Sequence, residues 1–278
     1  MNTKCWLKDI PDEKNIRELT IPGTHDSGAD LFRPFSRCQK LSLSEQLDLG
    51  VRFFDIRCRH INNGFNIHHG PFHFKKNFDD VANACRAFLK SNPSEFIIMS
   101  VNSEFTPKNN TRDFEETLKE YTGKNSGIFY LERELPTVGE ARGKVVLFSR
   151  YGGNTMGIDV SDWPDNSIFK NDNMIAVQDV YKVPNSQKDK FGDVKKQLEA
   201  ASSDTGDGYL YLNFCSGTNM RGMNAPLNLS KKTNAKLYEY IKNQNGKRYG
   251  IVILDFPETP HTDLTEKLIK LNRDAYEN

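Results

Sequence analysis

Eight short apolar segments, rich in β-branched and aromatic residues, constrain the fold of this chain more than any other feature of its sequence. Each has the length and composition of a strand buried on both faces, as in a parallel sheet covered by helices. The segments cover residues 16–21, 51–57, 65–69, 96–102, 144–150, 174–179, 209–213 and 250–255. Between them, apolar residues recur at helical spacing, as in Leu264, Leu268 and Leu271. Strand and helix alternating to a count near eight predict the α/β class and a (β/α)8 TIM barrel.

The connection between the second and third segments departs from the regular pattern. Residues 58–64 are too few for a crossover helix, so an irregular barrel or a local hairpin is expected there. The sequence has no internal repeat and no linker rich in Gly, Ser or Pro. We therefore predict a single domain over residues 1–278, an irregular TIM barrel. Ser42 and Glu45 form a capping-box pattern that predicts the start of the first helix.

Composition excludes several classes of protein. The 38 Lys and Arg against 37 Asp and Glu leave a net charge of +1, so we expect no nucleic-acid partner. The apolar runs are far shorter than the roughly 20 residues that cross a bilayer. The first residues lack the apolar stretch of a signal peptide, which leaves a cytosolic protein and a mature secreted form both open. The five cysteines lie far apart without a C-x-x-C pair, and we expect mostly buried thiols.

Every predicted strand ends in a polar or ionisable residue. Strands commonly end where solvent begins, so polar ends alone prove little. In a TIM barrel, however, catalytic residues lie at the C-terminal ends of the strands. The side chains expected on this rim are, in chain order, His25 with Asp26, Arg57, His69, Asn102, Arg150, Asp179, Asn213 and Asp255.

Two histidines and an arginine on one rim favour cleavage of a phosphodiester. An imidazole near its reference pKa takes a proton in one half of a displacement and gives one in the other. A guanidinium binds phosphate oxygens with two parallel hydrogen bonds and stabilises charge that grows in the transition state. A histidine-bound metal fits less well, because Gly70 and Pro71 interrupt any helix between His69 and His73 and no H-E-x-x-H motif is present.

Nine short motifs extend the pattern over nearly the whole chain. They are I-P-G-T-H-D-S-G from Ile21, F-D-I-R from Phe54, H-H-G-P from His68, P-S-E-F-I-I-M-S from Pro93, A-R-G-K-V-V-L from Ala141, R-Y from Arg150, W-P-D-N from Trp163, V-Q-D-V-Y-K-V from Val177 and V-I-L-D from Val252. In this order and spacing, the motifs resemble those of bacterial phosphatidylinositol-specific phospholipase C, of the X-domain family.

The resemblance implies a two-step reaction without a metal or other cofactor. The phosphodiester of phosphatidylinositol would be cleaved to diacylglycerol and inositol 1,2-cyclic phosphate, and the cyclic ester would then be hydrolysed slowly. On this chain His25 would be the general base, with Asp255 fixing its tautomer. His69 would be the general acid, supported by Asp26. Arg57 would hold the phosphate oxygens in place of a calcium ion.

The resemblance also implies roles for residues around this core. Asp55, two residues before Arg57 in the same strand, would share its face and orient it, or have only a structural role at the strand end. Inositol recognition would fall to Arg150, Asp179 and Tyr181, because hydroxyls need charged hydrogen-bond partners and a ring face needs a flat apolar surface.

One position departs from the family pattern. Where the bacterial enzymes have a lysine in the pocket, this chain has Asn102. The missing cation would weaken phosphate or inositol binding, or would tolerate a different headgroup. Trp163 in the W-P-D-N segment belongs either to the pocket or to ordinary packing.

The resemblance implies peripheral contact with membranes that contain phosphatidylinositol, by a monomer that is secreted or bound at a membrane surface. Glycosyl-phosphatidylinositol anchors are a further candidate substrate. Two groups of apolar residues are candidate membrane anchors and equally typical of core: Leu31, Phe32 and Phe35, and Met220, Met223 and Leu227. The relatives expose tryptophans in these regions, whereas this chain has only Trp6 and Trp163, so weaker bilayer affinity is expected.

Two other functions fit parts of the pattern. A glycerophosphodiesterase-like enzyme on the same barrel would use Asp26 and Asp55 as ligands for calcium or magnesium. Arg57 argues against it, since a fixed cation competes with a divalent ion. A non-catalytic inositol-lipid binder would require a broken acid–base pair, and His25 and His69 are both present.

Overall fold

The computed structural model describes residues 1–33, 35–153, 155–172, 174–183, 189–204, 208–218 and 225–272. The strands are β1 Thr20–Thr24, β2 Phe53–Ile61, β3 Gly64–His69, β4 Phe72–Asn77, β5 Ile97–Ser103, β6 Phe129–Tyr130, β7 Val145–Arg150, β8 Ile158–Asp159, β9 Ile168–Lys170, β10 Ile175–Gln178, β11 Leu210–Phe214 and β12 Gly250–Leu254. The α-helices are α1 Leu43–Leu49, α2 Phe78–Ser91, α3 Phe114–Lys124, α4 Val138–Ala141, α5 Lys190–Ser203, α6 Ala225–Ile241 and α7 Leu264–Lys270. Two 3₁₀ segments, Thr3–Asp9 and Ile16–Glu18, precede β1.

Eight parallel strands form the body of the sheet. Their spatial order is β6-β7-β5-β2-β1-β12-β11-β10, with β9 antiparallel on the far edge of β10 and β8 beside β7. The first and last strands of the chain are neighbours, since Thr20 to Thr24 pair in register with Gly250 to Leu254. Among the described residues, no strand ladder joins β6 or β8 to β9, so the ring is not closed by hydrogen bonds on that side. The predicted α/β class and irregular TIM barrel are confirmed, while the domain bounds 1–278 stay a prediction.

The short connection after β2 is a hairpin, one of the two outcomes that its length predicted. β3 runs antiparallel to β2, with Cys58 opposite Ile67, and β4 continues the meander beside β3. Asn62 and Asn63 both have positive φ, 52° and 59°, as a type I′ hairpin turn requires. The predicted strand 65–69 therefore exists but is not one of the eight parallel strands. The two-residue strand β6 takes the eighth place.

The start of the first strand differs from the prediction. Residues 16–18 form a 3₁₀ turn, which Asn15 and Glu18 stabilise through a reciprocal capping box, and β1 begins at Thr20. Local capping outcompetes the strand propensity of this apolar run. The capping box of Ser42 and Glu45 at the start of α1 is confirmed.

Alternate residues of each central strand face two different cores, and this alternation sets which polar side chains reach the barrel interior. In β5, Ile97 and Met99 pack against the surrounding helices, whereas Ile98 packs inside the barrel. Phe53 in β2 and Phe148 in β7 also belong to the interior cluster. Side chains two or four residues apart in a strand point to the same face. Arg57 therefore shares the face of Phe53 in β2, and Arg150 that of Phe148 in β7. Asn102 likewise shares the face of Ile98 in β5, so all three point to the barrel mouth. Within the described residues, no helix is long and apolar enough to cross a membrane.

Candidate active site

The segment after β1 carries His25 and Asp26. The backbone N–H of His25 donates to the carbonyl of Leu254 at 3.0 Å, which extends the pairing with β12 by one residue. Asp26 then has a positive φ of 42°, a left-handed conformation that non-glycine residues seldom adopt. Its N–H donates to Oδ2 of Asp55 at 3.1 Å, so a buried side chain from β2 holds the turn. Such strained positions concentrate at functional sites.

His25 is fixed from both sides. Its Nδ1 lies 2.8 Å from Oδ1 of Asp255, and its Nε2 lies 2.8 Å from Nη2 of Arg57. A guanidinium can only donate, so Nε2 is the acceptor and Nδ1 carries the proton that is donated to Asp255. In this tautomer the lone pair of Nε2 is held at the barrel mouth, as a general base requires.

Opposing influences act on the protonation of His25. Burial lowers its pKa, and the Arg57 cation lowers it further, but the Asp255 carboxylate outweighs them and the pKa is raised above the ordinary value. Burial raises the pKa of Asp255 as well, and the neighbouring His25 partly counteracts that rise. The pair therefore shares a strong mutual interaction at the end of two adjacent strands.

His69 faces His25 from the hairpin. The two ring centroids are 6.3 Å apart and the rings are nearly perpendicular, at 86°. Nδ1 of His69 lies 2.8 Å from Oδ2 of Asp26 and 3.1 Å from the carbonyl oxygen of Ser36. Both neighbours are acceptors, so Nδ1 is protonated and Nε2 is left for a substrate. The two imidazoles border one common space.

Arg57 lies in the middle of β2, near the end of its parallel pairing with β5, among acidic side chains. Its Nε donates to Oδ2 of Asp55 at 3.2 Å, and its Nη1 is 3.9 Å from Oε2 of Glu104. Burial lowers the pKa of Arg57, but the carboxylates of Asp55, Asp26 and Glu104 raise it well above its usual range. The guanidinium is therefore a permanent charge beside His25. The expected sharing of one strand face by Asp55 and Arg57 is confirmed by their hydrogen bond.

Arg57, Asn102 and Arg150 are aligned in the register of β2, β5 and β7. Arg150 stacks over the indole of Trp163 at 3.7 Å and lies 3.5 Å from Oδ2 of Asp179. Burial lowers the pKa of Arg150 and raises that of Asp179. Among the described residues, Nη1 of Arg150 and Nε1 of Trp163 are buried donors without a hydrogen-bond partner. This corner of the mouth therefore offers donors to a polar ligand.

Tyr181, expected to recognise inositol, and the predicted rim residue Asn213 lie apart from this cluster. The hydroxyl of Tyr181 donates to Oδ1 of Asp165 at 2.8 Å, near the surface. Asn213 is fully buried, where it accepts from Gln178 at 2.8 Å and donates to the carbonyl of Val194 in α5 at 2.9 Å. Asn213 therefore joins the sheet to a helix instead of facing the mouth.

Three residues that were not predicted from the sequence support the cluster. Glu104 accepts from the N–H of Gly70 at 2.7 Å, which ties the end of β5 to the segment that follows His69. Glu104 lies just after the predicted strand 96–102, and this position is the sequence signal that could have identified it. Gln39 donates to the carbonyl of His25 at 2.7 Å, and Cys38 lies beside His69. No sequence signal marks these two loop residues.

The cysteines are as expected from their spacing. All five are free, and four of them are buried. Two overlapping groups of potential metal ligands share Cys38: one with His25 and Asp255, and one with Asp26 and His69.

Comparison with known proteins gives one consistent result. The family model described as "Phosphatidylinositol-specific phospholipase C, X domain" matches residues 17–151. A 1-phosphatidylinositol phosphodiesterase of Staphylococcus aureus strain Newman is 30% identical, and the alignment covers 96% of this chain and 94% of the relative. The enzyme of the same name from Listeria monocytogenes is also 30% identical, with 93% and 82% covered.

Solved structures agree with the sequence relatives. A structure of phosphatidylinositol-specific phospholipase C from Staphylococcus aureus superimposes with a TM-score of 0.86 at 29% identity, covering 98% of both chains. That from Listeria monocytogenes gives a TM-score of 0.81 at 27% identity, covering 98% of this chain and 99% of the other. The predicted resemblance is confirmed over almost the full length, and the chain belongs to the phosphatidylinositol-specific phospholipase C family.

Proposed function

We propose that this protein cleaves the phosphodiester of phosphatidylinositol to diacylglycerol and inositol 1,2-cyclic phosphate, and then hydrolyses the cyclic ester more slowly. One observation carries the proposal: two imidazoles, each beside a buried carboxylate, face a common space with ring centroids 6.3 Å apart, and a guanidinium borders it. This set supplies a base, an acid and a fixed positive charge.

The first step is an attack within the substrate. Nε2 of His25 takes the proton of the inositol 2-hydroxyl, and the freed oxygen attacks phosphorus. Asp255 stabilises the imidazolium that forms, because it accepts a hydrogen bond from Nδ1 at 2.8 Å. The substrate hydroxyl replaces Nη2 of Arg57 as the partner of Nε2, which leaves the guanidinium to bind the non-bridging phosphate oxygens.

Departure of diacylglycerol requires a proton on the leaving oxygen. Nε2 of His69 donates it, and Asp26 fixes the orientation of the ring through its 2.8 Å contact with Nδ1. The roles then reverse: His69 takes a proton from water, and His25 returns one to the 2-oxygen of inositol.

We also propose that the reaction needs no metal. Arg57 donates to Asp55 at 3.2 Å, and both residues lie where the glycerophosphodiesterase-like alternative would bind its cation. The guanidinium would repel a divalent ion at Asp55 and already supplies positive charge beside the base. A non-catalytic binder is also disfavoured, because lipid binding alone does not require two histidines that are each paired with a buried carboxylate.

Inositol hydroxyls would bind beside the phosphate. Arg150 and Asp179 offer charged partners, and the unpartnered donors of Arg150 and Trp163 favour an oxygen-rich ligand. Asn102, between the two arginines in register, offers a neutral amide in place of the family lysine. Tyr181 would contribute only after leaving Asp165, with which its hydroxyl now pairs.

Phosphorus NMR of phosphatidylinositol vesicles incubated with the protein and a chelator tests this function. A cyclic phosphodiester signal should appear first and later convert to a phosphomonoester, at the same rate with and without chelator. A first product other than the cyclic ester would contradict the attack by the 2-hydroxyl. Loss of activity with chelator would favour the metal-dependent alternative.

Glycosyl-phosphatidylinositol anchors are tested separately. Incubation of cell membranes with the protein should release an anchored protein into solution if these anchors are substrates.

Exposed apolar side chains around the mouth support peripheral contact with lipid. Phe32 and Phe35 in the β1–α1 loop are 53% and 44% exposed, Phe105 after β5 is 49% exposed, and Ile168 in β9 is 55% exposed. All four follow the C-terminal ends of barrel strands, on the side of the catalytic residues. Leu31 packs against the core instead, Leu227 is half-buried in α6, and Met220 and Met223 lie outside the described residues. Both tryptophans are buried.

Substituting Phe32 and Phe35 tests the membrane contact. Transfer of a phenylalanine out of water contributes about 1.5–3 kcal/mol, so the Phe32→Ala, Phe35→Ala variant should act on vesicles at least about tenfold more slowly. Hydrolysis of soluble inositol cyclic phosphate should stay near the wild-type rate, and Phe32→Trp should strengthen vesicle binding in a sedimentation assay. Equal losses on vesicles and on the soluble substrate would contradict a lipid-facing role.

The acid side of the pH profile should report His25. The base works only when neutral, and its pKa is raised above the ordinary value of 6.5. The ratio kcat/KM should therefore fall as pH drops through a value above 6.5. Asp255→Asn removes the largest influence that raises this pKa, while burial and Arg57 still lower it, so the acid limb should move to lower pH as the rate falls. An unmoved limb in this variant would contradict the assignment of the base.

A further inference from the structure

Cys38 lies beside the proposed general acid but has no part in the proposed reaction. Its thiol, on a residue only 1% exposed, is 3.7 Å from Nδ1 of His69. One potential ligand atom from each of Asp26, Cys38 and His69 lies within 4.8 Å of the other two. A thiolate, an imidazole and a carboxylate are the three side-chain ligands that zinc takes in proteins.

The Asp26 carboxylate is an independent sign of a cation site. The residue is fully buried, and its Oδ1 has no hydrogen-bond partner among the described residues. Oδ2 has only the close approach of His69 Nδ1, at 2.8 Å. A buried carboxylate oxygen without a hydrogen-bond partner is unfavourable, and a bound cation would supply the missing partner.

The other group of potential ligands, His25, Cys38 and Asp255, is less suitable. Both ring nitrogens of His25 already have partners, and Nη2 of Arg57 stands 2.8 Å from one of them. A divalent cation bound there would be repelled by the neighbouring guanidinium.

We propose that Asp26, Cys38 and His69 form an inhibitory site for a thiophilic divalent cation of the zinc class. Tetrahedral zinc places bound sulfur and nitrogen about 3.6 Å apart, and the present separation is 3.7 Å. The carboxylate oxygen and Nδ1 must separate by about half an ångström. The cation binds Nδ1 of His69 with the ring proton on Nε2, the thiol proton of Cys38 is released to solvent, and a water takes the fourth position. Magnesium and calcium prefer oxygen ligands and should not compete.

Inhibition follows from the position of the ion. A cation on Nδ1 prevents His69 from forming the imidazolium that gives up a proton to the leaving oxygen. This consequence rests on the proposed role of His69, whereas binding of the metal does not. Binding of the metal and inhibition by the metal are therefore measured separately.

Titration with cobalt, a coloured substitute for zinc, measures binding, and the initial rate with added zinc measures inhibition. The wild-type protein should develop a thiolate-to-cobalt charge-transfer absorption that zinc abolishes. Zinc, but not magnesium or calcium, should inhibit, and a chelator should restore activity. Loss of even an indirect partner of a metal costs about 10- to 100-fold in affinity, so Cys38→Ser should lose the absorption and need at least about tenfold more zinc for half-inhibition relative to its own zinc-free rate.

Cys85→Ser is the matched control, because Cys85 is an equally buried thiol in α2. It should bind cobalt and respond to zinc as the wild type does, and thermal unfolding should verify that both serine variants fold. Absence of the absorption in the wild type, or equal zinc sensitivity of Cys38→Ser and the wild type, would overturn the site. Cobalt binding through Cys38 without loss of activity would support the site and contradict the role of His69, which separates the two proposals.

Discussion

Replacing His25 or His69 with alanine should lower turnover of phosphatidylinositol by at least about 10³-fold while the protein stays folded, because each substitution removes one proton transfer of the same displacement. The side chains of these residues are 14% and 27% exposed, so neither contributes heavily to the core. The measurement is the initial rate on vesicles, with thermal unfolding as the check of folding. His73→Ala is the matched control, since His73 is exposed on β4 and should keep the wild-type rate.

The two histidine variants should differ when the leaving group is changed. An inositol phosphodiester with a nitrophenolate leaving group needs little protonation as it departs, so it should restore much of the activity of His69→Ala. It should not restore His25→Ala, because the 2-hydroxyl still lacks a base. The double variant should be little worse than the poorer single variant, since the two residues act as one unit. A near wild-type rate in either single variant would reject the assignment.

Regular barrel geometry made part of this site predictable. Parallel strands in register bring their C-terminal residues to one edge, so Arg57, Asn102 and Arg150 had to be neighbours once the sheet order was known. The same argument places Asp255 beside His25, because β12 pairs with β1. Alternation along β2 explains why Asp55 reaches Arg57.

The remaining contacts depend on irregular segments that carry no period. His69 was expected at the end of a barrel strand, and it reaches the mouth through an antiparallel hairpin instead. Cys38 and Gln39 lie in the loop between β1 and α1, whose course depends on tertiary contacts such as the hydrogen bond from the N–H of Phe256 to the carbonyl of Cys38. The strand Phe129–Tyr130 is too short for alternation to reveal it. Residues on the strand ladders can therefore be predicted from periodicity, whereas Cys38 and Gln39 in their loop cannot.

Arg57→Lys should lower kcat by about 10²–10³-fold, comparable to the loss of one preorganised donor that stabilises transition-state charge. A lysine keeps the positive charge but is a single point, whereas the guanidinium donates at once to Asp55 at 3.2 Å and to His25 at 2.8 Å. The second step uses the same phosphate contacts, so hydrolysis of the cyclic ester should fall by a similar factor. A nitrophenolate leaving group should not rescue this variant.

The pH profile separates loss of charge from loss of geometry at this position. The Arg57 cation lowers the pKa of His25, so Arg57→Gln should raise that pKa and move the acid limb of kcat/KM to higher pH. Arg57→Lys retains the charge and should leave the limb near its wild-type position despite the lower rate. Arg59→Lys is the matched control, because Arg59 lies two residues further along β2 and donates to the carbonyl of Thr106 near the surface. A wild-type kcat in Arg57→Lys would mean that a single point charge suffices. The proposed binding of the phosphate by two parallel hydrogen bonds from Arg57 would then be wrong.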